Sequence, residues 1–500
     1  MYLFKFLKII VMFKKSFIFY LTSLVIFSNF IYGKDCTPKI AIIGGGIGGA
    51  SASHYLSDLF NYNVDIDLFE ADKIGGRLAT LNINDDEYET GGSIIHSRNK
   101  LMRKFVQLLK LEDRPSEQNM IAGIWNGDKF VFEESSYQLI SLVKLFYRYG
   151  LEPFKLHRLI NSILDEFDQI YELQNAGVGF ENITSLLAGM NNKFPEMLEI
   201  SSKDFLLNQG YSSLLIDELV ETTLVVNYGQ DTDVHSFVGF VSLAGAGYSL
   251  WSVKGGNKKV PENLIKINKR VKVIPAVVNK INYAPKDDGS PGYHVYYNTG
   301  KSEDTWKTYD VVIIATPLTH DQKMPINFGG FPEDVNFEFA GNYQTTYATF
   351  VQGSLNPGYF RLEESIDGIL SCDPNKTIVS SLGKLTTVQG VNSNVWKIFS
   401  RNPLEINIIN EMFQQVQLIK EIKWKAYPKY STIQSNNNFK LYNSLYHVNA
   451  IEWAASAMEM SAIGGRNVAI LIYNDYKKKC NISTYESSKK KLENKSTNEL

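Results

Sequence analysis

Short continuous apolar runs of strand length alternate along this chain with longer stretches whose apolar positions recur at helical spacing. Lys39-Ile-Ala-Ile-Ile43 is a run of the first kind, and it leads through Gly44-Gly-Gly-Ile-Gly-Gly49 into the helix-compatible stretch 50–56. Val64-Asp-Ile-Asp-Leu-Phe-Glu70 alternates as a strand and ends on an acid. Lys272-Val-Ile-Pro-Ala-Val-Val-Asn-Lys-Ile281 reads as two strand pieces, and Asp310-Val-Val-Ile-Ile-Ala-Thr-Pro-Leu318 as a buried strand stopped at Thr316-Pro317. Between 100 and 227 the spacing is mostly helical, as in Leu139-Ile-Ser-Leu-Val-Lys-Leu-Phe-Tyr147 and Ser212-Ser-Leu-Leu-Ile-Asp-Glu-Leu-Val220. Near the end, 445–452 predicts a strand, and a helix rich in small residues is predicted over 453–463 before Gly464-Gly465. The Lys-, Ser- and Asn-rich stretch 476–500 lacks periodicity and predicts a flexible tail, and no internal repeat is present.

Composition narrows the classes open to such a chain. Its 500 residues are 44% hydrophobic and 21% charged, which is globular and far from the disordered signature. Fifty-one Lys+Arg against 53 Asp+Glu remove the basic field that nucleic-acid binding requires. No stable protein partner is implied either. Cys36, Cys372 and Cys480 permit at most one disulfide, whose pairing the sequence leaves open, and they form no zinc pattern. No Ser-His-Asp, HExxH or metal-ligand cluster stands out, so no metal is expected.

The N-terminus carries lysines at 5, 8, 14 and 15, then an apolar run over 16–32 closed by Gly33. That order predicts a signal peptide over 1–33, with an uncleaved anchor as the alternative. Behind it, the sequons at Asn182, Asn375, Asn481 and Asn494 become candidate glycosylation sites. The expected compartment is the secretory pathway ending in the lysosome, with secretion as the alternative.

The candidate chemistry begins at Gly44. Gly44, Gly46 and Gly49 have the G-x-G-x-x-G spacing: the first permits a tight turn, the second lets backbone approach a pyrophosphate, and the third lets helix and strand pack closely. Phosphates then rest on a helix N-terminus. Glu70, 21 residues beyond Gly49 at the tip of the second strand, can accept hydrogen bonds from both ribose hydroxyls of an adenosine and repels a 2′-phosphate. Gly75-Gly76-Arg77 adds a second glycine pair and a countercharge, and Glu89-Thr-Gly91-Gly92-Ser93 adds backbone able to lie against a flat ring.

This order of motifs resembles the flavin amine oxidase and phytoene desaturase superfamily. The resemblance implies an α/β fold: a discontinuous Rossmann-type FAD-binding domain with an interleaved substrate domain containing a helical part. It also implies extended FAD, with Arg77 near the phosphates, Gly91, Gly92 and Ser93 near the flavin, the Val278 backbone at the adenine, and Thr316 at a second FAD-contacting strand end. Glu452 would meet the ribityl–phosphate region, although Ala450 and Ile451 replace glycines expected beside it. FAD is expected to be non-covalent. The domain boundaries that follow are 34–100, about 228–320 and 440–475 for the FAD part, and about 101–227 and 321–439 for the substrate part.

A finer resemblance lies in Val226-Asn-Tyr228-Gly-Gln230, in Phe237-Val-Gly-Phe-Val-Ser-Leu-Ala-Gly-Ala246, in Leu250-Trp251-Ser-Val-Lys254-Gly-Gly-Asn-Lys258 and in the stretch 454–463. These are similar to the prenylcysteine oxidase, or prenylcysteine lyase, family. That implies an FAD-dependent thioether oxidase that uses dioxygen and water to split farnesyl- or geranylgeranylcysteine into cysteine, prenyl aldehyde and hydrogen peroxide. Such a lipid-tailed substrate also suits peripheral membrane association.

Candidate catalytic residues are Lys258 and Lys254, which flank a Gly-Gly turn and could hold a water or favour dioxygen reduction, and His96, which could move a proton. Solvated lysines and a structural histidine are the alternatives. Tyr228 and Trp251 are candidate pocket walls, with core packing as the competitor. The rival functions are a flavin amine oxidase and a non-catalytic lipid-binding protein on the same fold.

Overall fold

The computed structural model describes residues 37–480 except 116–119, 247–249, 287–288, 301–304 and 434–437. The leader, Cys36, Asn481 and Asn494 therefore lie outside the described residues, as does the side chain of Cys480.

Five parallel strands and one antiparallel edge form the central sheet, in the order Val271–Pro275, Asp65–Glu70, Lys39–Ile43, Val311–Ile314, Leu445–His447, Lys440–Tyr442. The two innermost strands are almost wholly apolar because both of their faces are covered, as parallel sheets require. Strand order reverses between Lys39–Ile43 and Val311–Ile314, so a crevice opens at their carboxyl ends. The helix Ile47–Leu59 begins at that crevice.

A four-stranded sheet, Thr305–Tyr309, Pro291–Asn298, Val277–Pro285 and Asn327–Gly329, packs its aromatic face on the central sheet, sharing a core of Phe69, Ile281, Tyr293, Tyr297 and Tyr309. A third sheet of seven strands draws on two distant parts of the chain: Ala122–Trp125 and Phe130–Glu133 join five strands lying between Tyr343 and Pro428. Helices fill most of the interval from Gln138 to Tyr228.

Three expectations need correction. Within the mostly helical interval, Asp113–Pro115, Ala122–Trp125 and Phe130–Glu133 are strands, the first paired with Leu250–Val253. Short alternating segments such as Phe130-Val-Phe-Glu133 fall below the length at which helix and strand spacing separate. The second correction is that Glu452 and Trp453 lie in a 3-10 turn, Val448–Trp453, and the long helix starts only at Met458. Third, that helix runs through Cys480, past the expected start of the tail at 476. Its last described turn carries Lys477 and Lys478, good helix formers that apolar periodicity cannot register.

Candidate cofactor and active site

The glycine turn is built by close approach. Gly44 has φ +106°, and a Cβ there would stand 2.6 Å from the Ala315 carbonyl oxygen and 2.8 Å from Thr316 Cγ2. A Cβ on Gly49 would stand 2.0 Å from the Gly44 carbonyl oxygen. The first and third glycines are thus consumed by packing, whereas a Cβ on Gly46 would meet only the Gly75 carbonyl oxygen, at 3.8 Å. Gly76, with φ +56°, is similarly open, its nearest neighbour being Gly46 Cα at 3.5 Å. A cradle open to a ligand lies between the two glycine turns.

Glu70 stands beside it. Its Oε2 accepts the Gly45 N–H at 2.7 Å and its Oε1 the Asp72 N–H at 3.0 Å, fixing the carboxylate at the strand tip with lone pairs to spare. The Ala276 N–H donates to the Glu70 carbonyl, bringing the bulged start of Val277–Pro285, with buried Val278, to the same end of the sheet. Thr316 flanks the other side, where its carbonyl contacts His447 Nε2 at 3.3 Å.

Arg77 and Glu452, expected at neighbouring parts of one cofactor, are joined to each other. Arg77 Nη1 donates to Glu452 Oε2 at 3.1 Å and to the Ala426 carbonyl at 2.6 Å, and Nη2 donates to Glu452 Oε1. Glu452 is 1% exposed and also accepts from Tyr343 Oη at 2.7 Å and Asn449 Nδ2 at 2.8 Å. Burial alone would pull the guanidinium's pKa down, but the charge and hydrogen bonds of Glu452 carry it above its ordinary value. Gly91 closes on this arginine: a Cβ there would lie 2.0 Å from the Arg77 carbonyl oxygen and 2.6 Å from Trp424. Gly92 packs near Met458, and Ser93 follows half-buried.

Tyr228 is buried, donates to the Ser456 carbonyl at 3.1 Å, and meets Tyr427 and Tyr430 edge-on with centroids 5.1 and 5.4 Å away. Tyr430 Oη in turn donates to the Glu452 carbonyl. Sequence reasoning named only the first of these tyrosines, and the pairs are separated by some two hundred positions. Trp251 lies apart, in the sheet with Ile95 and Pro115, under the Arg103 guanidinium at 3.8 Å. Its buried Nε1 has no partner among the described residues.

The three catalytic candidates are dispersed. Lys254 forms an exposed ion pair with Glu112 at 2.7 Å. Lys258 pairs with Glu87 and donates to Thr80 Oγ1 at 2.7 Å, with its Cβ against Gly75. His96 accepts the Arg98 N–H at Nδ1, and its own N–H goes to Asn99. Among the described residues the three share no hydrogen-bond partner.

Asn182 caps the helix Ile183–Met190 through its side chain, and Asn375 is exposed in a turn. Cys372 is a buried thiol, which burial pushes up to about 12. Among the described residues there is no group of three His, Cys, Asp or Glu able to hold a metal.

Buried polar residues that sequence reasoning missed support the loop carrying Gly91 and Gly92. Asn257, fully buried, donates its N–H to Glu89 Oε1 at 2.6 Å and its side-chain amide to the Gly92 carbonyl at 2.9 Å. Lys397 Nζ, buried in the strand Asn392–Ser400, donates to the Glu89 carbonyl at 3.3 Å. Burial pushes the lysine down to about 8 and the Glu89 carboxyl up to about 7.

Glu221 and Glu459 are likewise raised to about 7, and His235 and His447 lowered to about 4, each chiefly by burial. A raised carboxyl contributes stability that is full below its unfolded value and lost as pH climbs through about 7; a lowered histidine contributes stability lost as pH falls below about 6.5. Burial also raises Glu262 and lowers His54 and His96, so the raised carboxyls and the lowered histidines pull stability in opposite directions across this window.

The cradle fits FAD: an open space between paired glycine turns, a fixed acid on the ribose side, an arginine behind, and a buried polar shelf under Gly91 and Gly92. This fold and this site, with the family match that follows, define a Rossmann-type flavoprotein, one of the FAD-dependent oxidoreductases. Residues 42–109 match the NAD(P)-binding Rossmann-like domain and residues 132–484 match Prenylcysteine lyase. The chain belongs to the prenylcysteine lyase family. It is 38% identical to prenylcysteine oxidase 1 of Bos taurus, covering 87% of this chain and 88% of that one, and 37% identical to the Homo sapiens protein of that name, covering 87% and 89%. Among solved structures it resembles a putative protoporphyrinogen oxidase from Exiguobacterium (TM-score 0.58, 12% identity, 88% and 99% covered). Cyclohexylamine oxidase from Brevibacterium oxydans is similar (TM-score 0.56, 14% identity, 88% and 99% covered). At such identities these structures speak for the fold alone.

Proposed function

We propose that this protein is an FAD-dependent thioether oxidase that cleaves prenylcysteine, with one dioxygen and one water, to cysteine, a prenyl aldehyde and hydrogen peroxide, in the breakdown of prenylated proteins. The observation that carries the reading is similarity to prenylcysteine oxidases over nearly the whole chain, both the cradle and the parts that cover it. Bound FAD supplies the two-electron acceptor for the carbon beside sulfur.

The chain's own residues bind and exclude water. Gly46 and Gly76 leave room for the pyrophosphate, Glu70 accepts from the ribose, and Arg77, its charge shared with Glu452, braces the Gly91 turn beside them. Asn257, Glu89 and Lys397 hold the Gly91–Gly92 backbone flat against the ring position. The tyrosines 228, 427 and 430 wall off water near Glu452. Lys258, whose Cβ packs against Gly75, is the basic residue this reading keeps beside the site, whereas Lys254 and His96 have no contact that supports a catalytic part. The seven-stranded sheet and the helices between Gln138 and Tyr228 serve as the substrate part, interleaved with the FAD part.

The leader and the sequons support a glycoprotein of the secretory pathway destined for the lysosome, with secretion as the alternative. The test supplies farnesylcysteine, geranylgeranylcysteine and a panel of amines to purified protein while peroxide is measured. Peroxide with prenylcysteines and none with amines is expected; peroxide from amines alone would overturn the reading in favour of an amine oxidase.

A further inference from the structure

The helix Gln138–Tyr149 is built inside out. Its buried or half-buried side holds Ser141, Leu145, Arg148 and Tyr149, with Arg148 and the Tyr149 hydroxyl both on Glu218. Its outward side carries Leu139 at 73% exposure, Ile140, Leu142, Val143 at 60%, Phe146 and Tyr147 at 91%. At 100° per residue these six fall within one continuous arc of about 160°. Tyr137, Leu151 and Phe154 extend the exposed apolar surface to both flanks. A stripe of this kind ordinarily turns toward the core, and monomeric soluble proteins rarely leave a contiguous apolar patch of such size in water.

Charge identifies what covers it. Between positions 137 and 158 three basic residues, Lys144, Lys155 and Arg158, are exposed, Arg148 is turned inward on Glu218, and the one acid, Glu152, has its carboxylate engaged by Ser212. Lys144 borders the apolar arc, and Lys155 and Arg158 are exposed on the next helix, Glu152–Phe167, beside exposed Phe154. An outward apolar stripe edged by cations is the pattern of a helix lying in a membrane interface, its side chains among the acyl chains and its cations among anionic headgroups. Among the described residues no helix is long and apolar enough to cross a membrane.

We propose that the face formed by Gln138–Tyr149 and the start of Glu152–Phe167 docks this protein on anionic lipid membranes. This deepens the prenylcysteine reading and rests on it for its purpose, since a substrate with an isoprenoid tail partitions into the bilayer and is best collected there. The binding itself is measurable without substrate or turnover.

The test floats purified FAD-loaded protein with vesicles of phosphatidylcholine alone and of phosphatidylcholine mixed with phosphatidylserine. Flotation with the anionic vesicles, weaker with the neutral ones and weakened by salt, is expected. The double variant Val143→Glu/Tyr147→Glu should lose at least about tenfold in partitioning, and Lys155→Glu/Arg158→Glu should lose the preference for anionic vesicles. Both should keep their flavin content and their circular dichroism. Absence of flotation by the wild type, or flotation unchanged in both variants, would overturn the proposal. A wild-type dimer that Val143→Glu/Tyr147→Glu makes monomeric, without vesicle binding by either, would also overturn it and assign the face to a second copy. Failure of the peroxide assay with intact flotation would remove the substrate reading and leave the membrane surface standing.

Discussion

Arg77→Met is expected to lower the unfolding free energy by about 3 kcal/mol and to purify with little flavin. Glu452 is almost wholly buried, and the variant leaves its carboxylate with only the Tyr343 hydroxyl and the Asn449 amide as donors among the described residues. Removing one partner of a buried pair costs about 3–5 kcal/mol because the other charge remains uncompensated, and the partial exposure of Arg77 places this case at the low end. Glu452→Gln in the Arg77→Met background should recover much of the loss, because the buried group is then neutral. The recovery separates a charge effect from lost packing. Denaturant titration of the four proteins of the cycle, read beside their flavin absorbance, checks this, and a single variant as stable as wild type would refute the pairing.

The second large effect distinguishes the glycines of the cradle. A side chain on Gly49 would drive its Cβ to 2.0 Å from the Gly44 carbonyl oxygen, in a turn already pressed against Ala315 and Thr316. Gly49→Val is therefore expected to fail to fold, appearing as insoluble protein. Gly46→Ala meets nothing of the protein closer than 3.8 Å and should fold with unchanged circular dichroism. Its methyl occupies space the pyrophosphate needs, so flavin retention should drop by at least about tenfold. Equal damage from both substitutions would mean that Gly46 is structural, and equal harmlessness that the cradle lies elsewhere.

Legibility in the sequence followed the range of the interactions. The central strands could be read because both faces of Lys39–Ile43 and Val311–Ile314 are buried, which forces unbroken apolar runs. The cradle could be read because close backbone approach can be met only by glycine, at fixed spacing. The Arg77–Glu452 pair spans 375 positions, so each residue looked like a cofactor contact in its own right while their union was invisible. Lys397 occupies a strand whose pattern gives no sign that a lysine is buried, and Asn257 sits in a loop where asparagine is ordinary. Nor did helical spacing at 139–147 reveal that the apolar stripe faces outward, since periodicity specifies a stripe and not its direction.

Anaerobic titration of the purified flavoprotein with farnesylcysteine tests the central claim most directly, because it isolates electron transfer from oxygen chemistry. Bleaching of the yellow flavin absorbance, with one cysteine released per flavin reduced, is the expected result. A spectrum unmoved by farnesylcysteine and geranylgeranylcysteine, in a protein that holds its full complement of FAD, would contradict it.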